Sequence, residues 1–395
     1  MPIILAYIFL SLACCDGPDW GFFGHRQLNR YAVFTLPEDM LPLYKSNIKY
    51  IEEHAVDPDK RRYATKYEAI RHYIDIDHWG TYPFDNVPRD FGLAISKFSD
   101  WYFVDYSGDT IDIKLDIKTD SIYLNVGSDK LLACTSKDFL WYFNKNLLTK
   151  YYEDDIKTLA SSLDIFFNIN VFTDLYSEII VVDKFSEYGI LPYHLVKAQR
   201  DLTRAFVDED FEKVLRISAD FGHYIGDAHV PLHTTENYNG QFTNQIGIHA
   251  FWESRIPELF AMETYDLFAG KAEYIDDKVT HYWDIVLESH SYLNDVLEQE
   301  KILSRTFPSD QQYCYDERLN NTVRIQCPEY AKAYQDAMKG MVEDRWIKTI
   351  KAIGDAWYTA WIDAGQPTLS RDRINVTPEE VVPNKNVITR DHSIR

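Results

Sequence analysis

Two pairs of side chains in this 395-residue chain combine an imidazole with a carboxylate four positions later: His223 with Asp227 in HYIGDAHVPLH, and His249 with Glu253 in GIHAFWES. On a helix that spacing puts both groups on one face, about one turn apart. His223 continues the row Phe211, Leu215, Ala219, so the first pair faces inward. Two groups so costly to bury need compensation, and a metal ion is its simplest source. Pro231 breaks the helix and lets His233 return from the following loop. The second pair has the spacing of two ligands on one helical face, and Phe251 and Trp252 argue that it is buried. The first pair alone is equally a hydrogen-bonded core pair, and the second alone could be a His–Glu pair on a solvated face; two so close together favour metal. Nearer the front, HAVDPDKRRYATKYEAIRHYIDIDHWG adds Asp57, Asp59, His72, Asp75, Asp77 and His78, and WGFFGH places His25 five residues after Trp20. Taken singly, acidic residues at that density form a surface, and a lone His25 is a core or capping residue.

Helices are expected to position these groups. The segment from Gly24 to Glu53 reads as helix broken at Pro37 and Pro42, Tyr193 to Asp227 as one long helix, and Pro328 to Ala364 as another, ended by Gly365 and Pro367. The middle differs, because Ile111, Ile113, Leu115 and Ile117 alternate with Asp and Lys in the period of a half-buried strand. Residues from about 100 to 189 therefore read as a small β-containing insertion in a mainly α host spanning 20–365. A polar tail, 366–395, follows.

Hydrophobic residues make up 46% and aromatics 15%, which describes a globular chain with a large core. The net charge of -21 repels nucleic acid and anionic membranes unless bound cations offset it locally. The start, MPIILAYIFLSLACC, reads as an export leader over residues 1–19, too short to anchor in a bilayer. The expected location is exported: periplasmic, secreted, or a cell-surface lipoprotein with a lipid anchor at Cys14 or Cys15. Cys314 and Cys327 flank a turn-rich segment and form a disulfide in an oxidising compartment or two thiols otherwise.

The ordered set WGFFGH, an Asp, HYID, HYIGD with His233 beyond it, then His249 and Glu253 resembles the superfamily of zinc-dependent phospholipases C and single-strand-specific zinc nucleases. The resemblance implies a multi-helix domain holding up to three zinc ions. It assigns Asp57, His72, His223 and Asp227 to the first, and His233, His249 and Glu253 to the second. Asp227 would bridge to a third, completed by His25 and by the backbone amine and carbonyl of Trp20. Asp57 is preferred to Asp59 because its separation of fifteen residues from His72 suits the family better, and it would also orient or deprotonate the attacking water as the catalytic carboxylate. The family's Trp offers a free amine, whereas Trp20 here follows CCDGPD, so the third site depends on processing.

The implied substrate is a phosphoester, from a phospholipid or from single-stranded nucleic acid, and no stable protein partner is implied. Glu253 and the short gap between His233 and His249 favour the phospholipase. Tyr73 and Asp75, an aromatic to stack a base and an acid to read it, favour the nuclease. The acidic composition tips the expectation slightly to phospholipase C-like chemistry. A non-catalytic surface protein with structural zinc is the alternative from another class, opposed by a donor set without cysteine.

Overall fold

The computed structural model describes residues 21–376 apart from 63, 119, 127–128, 153–155, 170 and 319–320. The expected leader, Trp20, Cys14, Cys15 and the tail beyond residue 376 lie outside the described residues. Five helices come first: α1 (Gly21–Ala32), α2 (Leu41–Ser46), α3 (Ile48–Glu53), α4 (Asp57–Arg61) and α5 (Lys66–Ala69). The middle holds α6 (Phe91–Phe98), β1 (Asp100–Asp105), β2 (Thr110–Ile117), β3 (Ser121–Val126), β4 (Asp129–Thr135), α7 (Ser136–Asn146), β5 (Ile156–Leu159), α8 (Ser161–Phe167), α9 (Phe172–Leu175) and β6 (Tyr176–Val182). Then come α10 (Leu191–Val207), α11 (Phe211–Ala228), α12 (Ile248–Ala250), α13 (Ile256–Thr264), α14 (Lys278–Ser291) and α15 (Leu293–Thr306). The hairpin β7 (Tyr313–Arg318) and β8 (Asn321–Gln326), α16 (Pro328–Ala337) and α17 (Met341–Asp363) complete the order.

The expectation of a mainly α, all-helical host with a small insertion is corrected: the fold is mixed α/β. The middle forms a six-stranded antiparallel sheet in the order β4-β3-β2-β1-β6-β5. Alternation in β2 was legible, but β6, YSEIIVV, ends in the apolar run 179–182, which periodicity alone does not assign. It pairs with β1 through Trp101↔Val181 and Phe103↔Ile179, and on its other side with the edge strand β5. One face buries Trp101, Phe103, Ile113, Ile122, Leu124, Ile179 and Val181. Rings of α7 and α9 cover it, with Phe143 5.7 Å from Trp101 and Phe172 5.2 Å from Phe103 between centroids. These residues belong to the same hydrophobic cluster as Leu28 of α1 and Trp357 of α17, so sheet and helices share one core.

Two long helices of the sequence reading are each divided. Between α10 and α11 the chain reverses through Glu209, at φ 50°, and the Asp210 side chain accepts the Lys213 amide to start α11. Between α16 and α17, Lys339 and Gly340 both take positive φ. Residues 366–376 of the expected tail pack back on α2 and α3: Ser46 Oγ donates to Arg371 O at 2.9 Å, and the Ile374 amide donates to Asn47 Oδ1 at 2.8 Å. Among the described residues no helix is long and apolar enough to cross a membrane.

Candidate metal centre

The two glycines of GHYIGD, Gly222 and Gly226, explain how two helices meet at the site. A Cβ at Gly222 would lie 1.9 Å from Asn29 Oδ1, and one at Gly226 would lie 2.8 Å from His25 Nδ1. Both face α1, so their missing side chains let it seat against α11. Asn29 Nδ2 then donates to Ala219 O at 3.0 Å and ties the helices together. The result sets His25 Nε2 3.4 Å from Asp227 Oδ1.

His223 and Asp227 face each other along α11 as the spacing requires, with Nε2 to Oδ2 at 3.4 Å. His72, in the turn after α5, brings Nδ1 to 2.9 Å from the same Asp227 oxygen and 3.1 Å from His223 Nε2. Asp59, on α4, closes this group with Oδ1 3.8 Å from His223 and 3.9 Å from His72. Asp57 does not reach it: its oxygens bond His54 Nδ1 at 2.5 Å and Lys60 Nζ at 2.9 Å. The first-site register read from the sequence is therefore displaced by two residues on α4, and Asp59 takes the position given to Asp57. The cause is the way α4 leaves α3, which turns Asp57 toward His54 at the end of α3 and Asp59 inward.

The second group builds on the loop after α11 and the turn after α12. His233 Nε2 and His249 Nε2 stand 3.2 Å apart, and Glu253 Oε2 lies 2.7 Å from His249 and 3.5 Å from His233. The chain is π-helical from Phe251 to Arg255, which carries Glu253. Its other oxygen lies 3.5 Å from His25 Nε2, so the two groups run into each other through His25, Asp227 and Glu253. Three sets result, His25–His223–Asp227 and Asp59–His72–His223, which share His223, and His233–His249–Glu253 beside them, each able to hold a metal ion.

Their donors fit a cation. His223 Nδ1 faces Ala55 O at 2.9 Å, His233 Nδ1 faces His72 O at 2.6 Å, and His249 Nδ1 faces Tyr238 O at 3.1 Å. A carbonyl accepts and never donates, so each Nδ1 carries a proton, and the Nε2 turned inward is the atom free to ligate once it carries none. His233 and His249 then oppose two lone pairs at 3.2 Å, with a carboxylate oxygen beside them. Acceptors that converge in this way repel unless a metal cation or a shared proton lies among them.

Burial pushes the His72 and His223 imidazoles well below their ordinary range, helped by the charge of Arg62 on His72 and of His25 on His223. Both are held in the neutral form that ligates. Asp227 is pushed well above the carboxylate range by burial and by the charges of Glu253 and Asp59. Burial pushes Glu253 up as well, but His233, His249 and His25 outweigh it and hold the carboxyl low.

Tyr73 and Asp75 contribute no atom to the three sets. Tyr73 Oη donates to Glu187 O at 3.1 Å, and the amide of buried Asp75 donates to Tyr188 O at 2.6 Å. A residue not singled out in the sequence is Arg62, whose Nη1 lies 3.5 Å from Asp59 Oδ1 and whose charge acts on His72 and Asp227. Its signal was the i, i+3 spacing from Asp59 on a helix rich in charge. Cys314 and Cys327 are joined by a disulfide across the hairpin, and Gln326 O there accepts from Arg255 Nε at 3.1 Å. Comparison with protein-family models, with characterised proteins and with solved structures finds no match to this chain.

Proposed function

We propose that this chain is a zinc-dependent hydrolase of phosphoric ester bonds. The observation that carries the reading is the convergence of lone pairs from His223, His233 and His249 on Asp59, Asp227 and Glu253 without cysteine. Imidazole-rich donors favour zinc over magnesium or calcium, and cysteine-free sets belong to catalytic rather than structural zinc. Zinc bound there lowers the pKa of water toward neutrality and withdraws charge from a phosphoryl oxygen.

The chain's own residues divide the remaining work. Asp227, with 2% of its side chain exposed, is walled in by imidazoles and serves as a ligand. Asp59, at 19%, reaches solvent, so its carboxylate is the one able to accept a proton from an attacking water. Arg62 beside it supplies a fixed positive charge for the phosphate. The disulfide supports an exported location.

Protein purified without added metal should carry two or three zinc ions and hydrolyse bis(p-nitrophenyl) phosphate, with activity abolished by a chelator and restored by zinc. Zinc-loaded protein inactive on every diester tried would leave the structural role as the correct one, and protein with one ion or none would end the multi-metal reading.

A further inference from the structure

Beside the metal-ligand sets lies a second group of charges that they do not use. Phe22 of α1 is buried, and two cations from different elements sit over its ring: Arg26 Cζ at 5.8 Å and Lys60 Nζ at 5.9 Å from the centroid. Arg26 follows His25 in sequence and Lys60 follows Asp59, so both cations flank residues of the metal-ligand sets. Arg26 is half-buried, its Nε is shielded from solvent without a hydrogen-bond partner, and it makes no ion pair among the described residues. Shielding a guanidinium N–H from water without an acceptor costs free energy. Lys60 gives one hydrogen bond to Asp57 at 2.9 Å, and about half of its side chain is exposed. In a protein of net charge -21, these cations, with Arg62 behind them, run against the overall charge beside the candidate centre.

We infer that Arg26 and Lys60, braced on Phe22, form a second anion subsite that takes a non-scissile phosphate of the substrate. This rests on the phosphoester reading and sharpens it: the substrate carries a second phosphate near the one attacked, as each linkage of a single-stranded nucleic acid does. A zwitterionic choline lipid offers no second phosphate, so the subsite turns the expected lean from phospholipid to strand. The local cations also remove the objection raised by the acidic composition, because steering depends on the field at the mouth and not on the total charge.

The test is binding to the zinc-loaded full chain, by equilibrium dialysis, of thymidine 3′,5′-bisphosphate against thymidine 5′-monophosphate. The bisphosphate should bind about tenfold more tightly or better, the effect of one or two charge-assisted hydrogen bonds. The preference should shrink as salt rises. In Arg26→Gln/Lys60→Gln the ratio should fall to about one, and in the milder Lys60→Gln, a change at a partly exposed side chain, to an intermediate value. Arg204→Gln, an exposed cation elsewhere, should keep the full ratio. Equal binding of the two nucleotides by the wild type, a ratio that survives in the double variant, or tighter binding to phosphatidylcholine vesicles than to oligothymidylate would overturn the inference. Hydrolysis of bis(p-nitrophenyl) phosphate without any such ratio sinks the subsite alone; the ratio without hydrolysis of any diester sinks the hydrolase reading alone.

Discussion

Replacing Asp59 with Asn should act in opposite directions on the metal-free and the metal-loaded protein. Oδ1 of Asp59 and Oδ2 of Asp227 lie 3.8 and 3.4 Å from the same His223 nitrogen, so the two carboxylates are no more than about 7 Å apart. At that separation and an effective dielectric constant near 20, two unit charges repel by ~2 kcal/mol. The Asn variant removes this repulsion at almost constant shape but also loses the pairing with Arg62 at 3.5 Å, worth up to about 1 kcal/mol, so the metal-free protein should gain about 1 kcal/mol at most, less whatever protonation of Asp227 already relieves. With metal present the sign reverses. A charged donor becomes neutral, and affinity at the Asp59–His72–His223 set should fall by at least the ten- to hundredfold typical of disturbing even an outer partner of a metal ligand.

Asp57→Asn is the paired control. Its ion pairs with His54 and Lys60 are partly exposed, so its loss costs at most about 1 kcal/mol and leaves metal content unchanged. The assay is urea unfolding of each variant with chelator and with excess zinc, beside competition titration of zinc against a coloured chelator. Asp59→Asn should raise the metal-free midpoint and lower the stabilisation that zinc adds. If Asp57→Asn loses zinc and Asp59→Asn does not, the placement of α4 is wrong, and if Asp59→Asn destabilises the metal-free protein, the account of converging charge is wrong.

Two further outcomes follow from the packing around the centre. A Cβ at Gly189, where φ is +90°, would stand 2.1 Å from Tyr73 O, so Gly189→Ala should cost about 3 kcal/mol or more and weaken zinc binding through His72; unchanged melting and affinity would refute the link. His229 is held below its ordinary pKa by burial and by the Arg345 charge, so the folded state stays neutral while the unfolded state takes up a proton below about pH 6.5. Stability from this group is complete above that pH and is lost as pH falls. The wild type should therefore lose about 1 kcal/mol relative to His229→Gln between pH 6.5 and 5.5, read from urea midpoints, and a pH-independent difference would show that the ring is protonated or exposed.

The two His–carboxylate pairs were legible because a helix fixes which side chains meet at i and i+4, and both pairs meet at the centre. Asp59 against Asp57 was not legible. Both sit in the first turn of a five-residue helix, and which one faces inward depends on the angle at which α4 leaves α3, set by tertiary packing. The strands of the middle were half legible. Alternation marked β2, whose outer side faces solvent, while β6 closes on the unbroken apolar run 179–182, which carries no period to read. Arg26 and Lys60 were invisible as a pair, because two cations on separate helices announce no shared ring.

The sheet is more than an insertion carried by a helical host. Its return strand leads into 183–190, where the Leu191 amide donates to Tyr73 O at 3.1 Å, the Ile190 amide to Ile70 O at 2.8 Å, and the Tyr188 ring stacks on His78 at 3.5 Å. The stretch from Ile70 to Asp75 is thus held on one side by the end of the sheet segment. On the other side the Ile74 amide donates to His233 O at 2.9 Å, and His72 O receives the proton of His233 Nδ1. His72 presents Nδ1 to the centre, while its Nε2 is buried without a partner. No hydrogen bond on the far side of the ring fixes it, so its aim depends on the backbone that carries it. A segment clamped between the sheet and the His233 loop supplies that rigidity. Excising residues 100–189 should therefore strip the Asp59–His72–His223 set of its metal while the second set, built on α12 and the loop after α11, retains affinity wherever the shortened chain still folds. Titration of one zinc fewer per folded chain is the expected result, and full zinc content after excision would show that His72 is held without the sheet.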